Sequence, residues 1–471
     1  MKGREYKLMN DRIRLMGEGG VKKALLVLGM PTIIGLMVTG LYNFVDSLYV
    51  AQLGTAAMSA ISIVYPFVTF VPGIALLFGN GGAAYISELL GAKQKEKADI
   101  VLSSVFFYCL IGSLASQIVL LFLKPLLRLM GATDTALPLA MDYASIIIIS
   151  FIFQILSICL MNLVRAEGAV MLSTASQVIG SVLNIILDPI FIWTFNLGIR
   201  GAAIATGISQ FVSFAILIPY YLFGKSYLHL SIKNVRFKSW IIKPTFKVGF
   251  PIFTINLFQS LSITAMNFAA KPFGDAAIAA IGIVNRVVGI STFAITGFSR
   301  GYQTLTAFNF GAKNWPRIRA INKTAYKWSV SFGILISLTQ IIFSKWIVGI
   351  FSADAGVINL GMRAMFANSV VFFTYGFQAI ATVYLLSVRR ERAGFILSIG
   401  RQGIFFLPVL FAAAPLFGIT GIIYSQAAAD IITTAITFAV LHYEKRYIPE
   451  ISSGKKTVPQ QSGAEQPTKP L

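Results

Sequence analysis

The chain is short of the residues from which most active sites and metal centres are built. In 471 residues it has 2 His, 2 Cys and 18 Asp and Glu, and charged residues of both signs make up only 12%. Soluble domains average about 25% charged residues. His229 and His442 stand near the edges of apolar runs without metal-ligand spacing, and no HExxH occurs. Cys109 and Cys159 lie inside apolar stretches and read as small buried hydrophobes with no disulfide. The fragment PYYLFGKS (219–226) ends like a phosphate-binding loop. Pro219 stands where the first glycine belongs, however, and no strand precedes it, so it reads as a helix end. With no catalytic constellation, the chain is not expected to be an enzyme, and ATP-driven transport would need another subunit.

What the chain has is apolar length. Hydrophobic residues make up 56%, and the mean hydropathy is +0.75. A soluble core could not hide this much apolar surface. Twelve runs are long enough to cross about 30 Å of hydrocarbon, which takes about 20 helical residues. They fall near 22–50, 56–82, 99–123, 139–162, 170–195, 201–224, 244–270, 276–300, 323–345, 358–386, 393–415 and 419–441. The expected fold is an all-α polytopic membrane protein with twelve transmembrane helices. The first 21 residues are too charged for a signal-peptide apolar core. Residues 446–471 are polar and are expected to form a disordered tail.

The net charge of +21 would suggest nucleic acid in a soluble protein, but here the cations fall between apolar runs, so no nucleic-acid partner is expected. The alternate loops divide unevenly. One set holds Lys124, Arg128, Arg200, Lys271, Lys345 and Arg363; Arg286 and Arg401 lie within spans; every other Lys and Arg is in the set that contains both termini. The positive-inside rule places that set, and both termini, in the cytoplasm of a bacterial cell, with the spans in its inner membrane.

The two halves repeat. At a shift of 220 residues, GMP (29–31) meets GFP (249–251), LGTAAMSAISIV (53–64) meets FGDAAIAAIGIV (273–284), and GAK (91–93) meets GAK (311–313). Residues 29–93 give sixteen identities without a gap, and GIRGAAI (198–204) meets GITGIIY (418–424). Six spans separate the copies, so both have one orientation. The expected arrangement is two six-helix lobes about a pseudo-twofold axis along the membrane normal. A segment of 1–21 precedes the first lobe (22–224), loop 225–243 joins the lobes, and the second lobe is 244–445. GNGG (79–82) is expected to permit close helix packing.

Against this apolar background a few polar residues stand out. Asp46 lies in the first span, inside LYNFVDSLYV. Asn184 and Asp188 share one face of the fifth span at i, i+4, and Thr206 is in the sixth. All four fall in the outer half of the bilayer. A membrane carboxylate costs roughly 2.5–3.5 kcal/mol on insertion scales and is a functional feature by default. Two carboxylates, an amide and a hydroxyl can hold a proton or a small hard cation such as sodium. Under the repeat Asp46 meets Met266, Asn184 meets Ile404 and Asp188 meets Pro408. The scaffold does not need acids at these places. Arg401 and Asp430 are expected to pair structurally within the second lobe. Arg286 has no obvious partner and is a candidate cavity cation.

The chain resembles the MATE family of multidrug and toxic compound extrusion transporters, most nearly its bacterial MepA-like and DinF-like branches. The resemblance rests on GMP…LYNFVDSLYVAQLG, GNGGAAYISELLGAKQKEKA, VLNIILDPIFIW, GIRGAAIATGISQ, GFPIFTINLFQS, FNFGAKNW and GRQGIFFLP, which span about residues 20–445. It implies lobes facing across a central cavity and export of cationic or amphipathic drugs by antiport with H+ or Na+, with no other cofactor. It implies that Asp46, Asn184, Asp188 and Thr206 form the cation site and that the first helix bends at Pro31. Another MATE branch uses acids in spans seven and ten; this chain has Gln259 in span seven and no acid in span ten. The expected partners are small-molecule drugs and the lipid bilayer, with the chain acting as a monomer. Two alternatives are a flippase for lipid-linked oligosaccharides, which a cation-rich groove would favour, and an integral membrane enzyme.

Overall fold

The structure, a computed structural model, describes residues 15–223, 226–388 and 390–444. Residues 1–14 and the tail from 445 onward lie outside the described residues, so the readings of a charged N-terminal segment and a disordered tail concern mostly residues outside them. The first six spans are α1 (Val21–Ala51), α2 (Thr55–Gly91), α3 (Lys95–Ser116, prolonged by a 3-10 stretch and a short helix to Leu129), α4 (Leu137–Ala166), α5 (Val170–Pro189) and α6 (Ile199–Leu222). The second six are α7 (Ser239–Ala270), α8 (Asp275–Gly311), α9 (Trp315–Ile342), α10 (Ala355–Ser387), α11 from Glu391, and α12 ending at Glu444.

By length and composition ten helices suffice to cross a membrane among the described residues, and α9 with its companion Ser344–Phe351, bent by 68°, adds an eleventh. The twelfth is hidden in the 53 residues from Arg392 to Glu444. That stretch breaks at Gly418, whose φ of 56° and ψ of −137° are not helical. α11 ends there and α12 begins. With twelve spans, both ends of the described chain lie on one side of the bundle, here called the terminal side. α7 starts at Ser239, five residues earlier than hydropathy places it. The segment before it is strapped to the first lobe: Glu167 accepts from the Ser226 hydroxyl and the Tyr227 amide, and Tyr108 donates to the Arg236 carbonyl.

The backbone repeats as the sequence does. Left-handed residues occur at Gly54 and Gly274, at Lys93 and Lys313, and at Gly198 and Gly418. Each pair is separated by the same shift. The two GAK motifs are helix stops. Gln94 N donates to Leu89 O (2.8 Å) and Asn314 N to Asn309 O (2.9 Å), the 6→1 bond of a Schellman cap with lysine in the left-handed position.

The lobes interlock. α1 packs mainly on α8, and α7 mainly on α2, so the first helix of each half lies against the second helix of the other. A Cβ at Gly301 would lie 2.5 Å from the Gly29 Cα, and one at Gly249 would overlap the Leu77 carbonyl oxygen. Gly29 and Gly249 are repeat mates, as are Gly81 and Gly301, so both crossings use the same glycine positions. The GNGG stretch is close-packed as expected, with a Cβ at Gly81 colliding with the Thr245 carbonyl oxygen. Small residues let backbones touch where lipid offers no hydrophobic drive to association.

On the side away from the termini, the repeat motif packs on its own copy. Residues 57–64 of α2 and 277–284 of α8 are almost entirely buried in one core cluster. A polar latch crosses the lobes beside it. Asp275 accepts from Ser59, Thr133 and Thr135, and Asp354 accepts from Thr55 at 3.1 Å. Asp354 also caps α10 through the amides of Gly356 and Val357. The Gly356 amide first, then the Thr55 hydroxyl, holds its carboxyl below the usual carboxylate range. Phe44 meets Phe351 edge-on at 5.0 Å. Large side chains such as Leu121, Met171, Phe223, Ile342 and Leu416 are left bare on the periphery, as lipid contact requires.

The crossings give a direct test of the interlock. Gly249→Ala should lower the melting temperature of the purified protein by an amount equivalent to about 1–3 kcal/mol, the usual cost of overpacking. Gly35→Ala, in open space on α1, should leave it unchanged. Equal melting temperatures for the two variants would show that the α7–α2 crossing is not tight.

Candidate functional site

α1 carries Asp46 into the first lobe. The outer part of α1 is held against α5 by a bond from Gln177 Nε2 to Thr39 Oγ1 (2.9 Å), and Asn43 and Ser47 turn their polar atoms back to their own helix. Asp46 opens on a small cavity lined by Tyr42, Tyr65, Tyr143, Gln154, Thr206, Gln210 and Arg286 among others. α1 runs unbroken through Pro31, which sits on an exposed face of the helix. Beside it Thr32 Oγ1 donates to Gly297 O (2.7 Å) across the lobe boundary.

Behind the cavity wall α5 and α6 hold the other three residues. Asn184 is 1% exposed and Asp188 is fully buried. The Asn184 amide donates to Asp188 Oδ1 (3.2 Å) and to Thr206 Oγ1 (3.3 Å). Thr206 also lines the Asp46 cavity, so one amide connects Asp188 to the wall of that cavity. A π-helical turn, Ile190–Thr194, follows Asp188 and Pro189 directly. Such turns concentrate at functional places.

The hydrogen-bond inventory here is lopsided. Asp46 Oδ1, Asn184 Oδ1 and Asp188 Oδ2 are all buried without a donor. Buried polar atoms are nearly always paired, and each orphan costs about 1–3 kcal/mol, more for a charge. Three such acceptors on α1 and α5 therefore leave room for something that donates: a proton or a cation.

The second lobe differs. Arg401 lies in the π turn Gly400–Ile404 of α11 and grips Asp430 of α12 with two bonds, Nε to Oδ1 at 2.7 Å and Nη2 to Oδ2 at 3.1 Å. Gln426 donates to the same Oδ1 (3.0 Å), Gln378 donates to the Asp430 carbonyl, and the guanidinium lies 4.4 Å over the Tyr375 ring. The expected pair forms. Arg401 lines a second, larger cavity with Gln259, Asn285, Asn368, Gln402, Gln426 and Arg286. Among the described residues its lining holds amides and two arginines but no carboxylate.

Arg286 is the residue whose reach into the first lobe the sequence reading did not foresee. It is on α8, yet it lines both cavities. The guanidinium lies 4.9 Å over the Tyr65 ring and donates to Gly282 O (3.1 Å), Ser62 Oγ (3.4 Å) and Ile61 O (3.5 Å). A signal was available: Arg286 has no acid near it in its own half, and its repeat mate is Pro66. The tyrosines around Asp46 gave none, because aromatic residues are common throughout the chain.

Twelve spans in two parallel-repeat lobes, with Asp46 facing an internal cavity and Asp188 buried behind its wall, have the layout of a membrane transporter. The MatE family profile matches residues 31–190 and 251–412, one copy in each half. The chain belongs to the MatE family of multidrug efflux transporters. It is 29% identical over 437 residues to the multidrug export protein MepA of Staphylococcus saprophyticus, covering 92% of this chain and 96% of that protein. It is 29% identical over 428 residues to MepA of Staphylococcus aureus strain MRSA252, covering 90% and 94%. Among solved structures, the MATE multidrug transporter DinF-BH is 30% identical, with a TM-score of 0.74 over 91% of this chain and 97% of that one. An inward-facing MATE transporter at 22% identity superposes with a TM-score of 0.83 over 88% and 96%.

The Arg401–Asp430 pair can be tested by breaking it. Removing one member of a buried pair often costs about 3–5 kcal/mol, because the other charge is stranded. Arg401→Ala and Asp430→Ala should each lower the yield of folded, monodisperse protein, and the double variant should recover part of it. Additive losses would mean that the two residues act separately.

Proposed function

We propose that this protein exports cationic, amphipathic compounds in exchange for protons. Asp46 and Asp188 carry the coupling proton, and Asn184 and Thr206 link them. The observation that carries this reading is the set of three buried acceptor oxygens without donors, on Asp46, Asn184 and Asp188. A proton on either acid supplies the missing donor at the smallest steric cost. Sodium would need several oxygens converging on one point. Asn184 instead turns an N–H toward both Asp188 and Thr206, which places a donor where a sodium cage would want an acceptor.

The cycle follows from charge. With both acids bare, the first-lobe cavity favours a cationic drug. Protonation removes that preference and releases the drug; loss of the proton on the other side restores it. Each ligand moves the equilibrium only by its differential affinity for the two states. Pro31, which leaves one helical bond unmade, is the natural place for α1 to bend as the site changes charge. Arg401 and Asp430 fix the second lobe and cancel each other's charge, which leaves Arg286 as the cavity cation of that lobe. The protein works in this reading as a monomer in a bacterial cytoplasmic membrane, with both termini and the cation-rich loops inside.

The test uses inside-out vesicles. An imposed inside-acid gradient should drive uptake of a cationic dye with no sodium present. Asp46→Asn should reach the membrane in normal amount but fall to the background of empty vesicles. Asp188→Asn should be impaired less, since Asp46 remains. Uptake that appears only with a sodium gradient would overturn proton coupling, and normal uptake by Asp46→Asn would overturn the site.

A further inference from the structure

We infer that Arg286 is the built-in counter-ion of the first-lobe acid site. It stands in for the transported cation when the site is bare, and so keeps the empty carrier from switching. The inference rests on the exchange reading above.

The argument starts from a buried charge without an acid beside it. Arg286 is 8% exposed. Its hydrogen-bond partners are carbonyls and one hydroxyl, and its ring neighbour is Tyr65. No carboxylate lies within salt-bridge distance of it among the described residues, whereas Arg401, the other arginine of the cavities, has its own acid in a two-bond grip. Neutral partners soften the burial of a cation but do not cancel its charge. The acid that opens onto the same cavity is Asp46, and Asp46 has a buried oxygen with no donor. The two unmet needs are opposite in sign and share one space. Asp188 adds a second negative charge behind Thr206.

The two charges sit on different halves of the chain. Asp46 is on α1; Arg286 is on α8 and leans on Ser62 and Ile61 of α2. That contact lies one helical turn from Ser59, which donates to Asp275 in the latch on the side away from the termini. A motion that parts α8 from α2 there and slides it along α1 carries the guanidinium away from Asp46. While Asp46 is bare, withdrawal separates opposite charges in a low dielectric and is costly. Once Asp46 carries a proton or is covered by a cationic drug, that attraction is gone and the lobes are free to part. An exchanger must forbid movement of the unloaded form and allow movement of both loaded forms. A tethered cation that competes with both cargoes does this.

The experiment measures ion and dye fluxes together in liposomes loaded with the purified protein. Wild type should move dye only against an opposing ion flux. Arg286→Gln should let dye run down its own gradient while the ratio of ions to dye falls toward zero, and Arg286→Lys, which keeps the charge, should restore the ratio. An unchanged ratio in Arg286→Gln overturns the inference. Should Arg286→Gln fold poorly, its combination with Asp46→Asn decides: the double variant should recover folded yield, because it also removes the carboxylate left without a counter-ion. A double variant that folds as poorly as Arg286→Gln overturns the inference. A wild type without any ion flux would instead remove the exchange reading, and the folding comparison would still test the charge pair.

Discussion

The constraint on which the rest of the structure depends is a shortage of donors. Within the first lobe, three acceptor oxygens on Asp46, Asn184 and Asp188 are sealed from solvent with nothing to bind. Evolution does not leave such groups in a hydrocarbon-like interior without return, since each is expensive. The surroundings make sense as ways of managing that expense. Asn184 ties one acid to a hydroxyl. Arg286 is brought in from the other half of the chain. Tyrosines line the cavity with apolar faces and polar tips. In the proposed exchange the site is costly when empty and relieved when occupied, which is the property a carrier needs.

The frame that holds this site is nearly symmetric, while the chemistry is not. Left-handed residues, helix caps and glycine crossings all recur at a shift of 220, and the best-matched stretch of the repeat is the one that packs on its own copy. An isologous contact of that kind requires the same small residues on both sides. The positions of Asp46, Asn184 and Asp188 in the first lobe hold Met266, Ile404 and Pro408 in the second, so the fold does not itself require acids or an amide there. Among the described residues, the one fully buried acid of the second lobe, Asp430, is closed by Arg401. That lobe therefore contributes amides, apolar surface and Arg286 to the central space, with no charge of its own left to titrate.

Much of this was legible in the sequence, and the limits are physical. Hydropathy located the spans because each must be long and apolar. It placed the start of α7 five residues late, because Ser239–Lys243 is amphipathic and sits on the first lobe rather than in lipid. The break at Gly418 was visible as a gap between apolar runs, although helix length alone merges the last two spans. Asn184 and Asp188 were legible as a unit because i, i+4 spacing fixes neighbours on one helix. Which helices touch was not legible. Spacing carries no record of partners in another span, so the leaning of α1 on α8 and the reach of Arg286 into the first lobe came only with the three-dimensional arrangement. The GAK stops show the converse case, a local motif whose structural cause is local too.

The central claim is that drug and proton compete for the same carboxylates. It can be measured without a membrane. A cationic dye is added to the purified protein in detergent, in weakly buffered, sodium-free solution near neutral pH, and released protons are followed with an indicator. The account predicts saturable proton release that tracks dye binding and disappears when Asp46 and Asp188 are both replaced by asparagine. Dye binding by the wild type with no release of protons would contradict it.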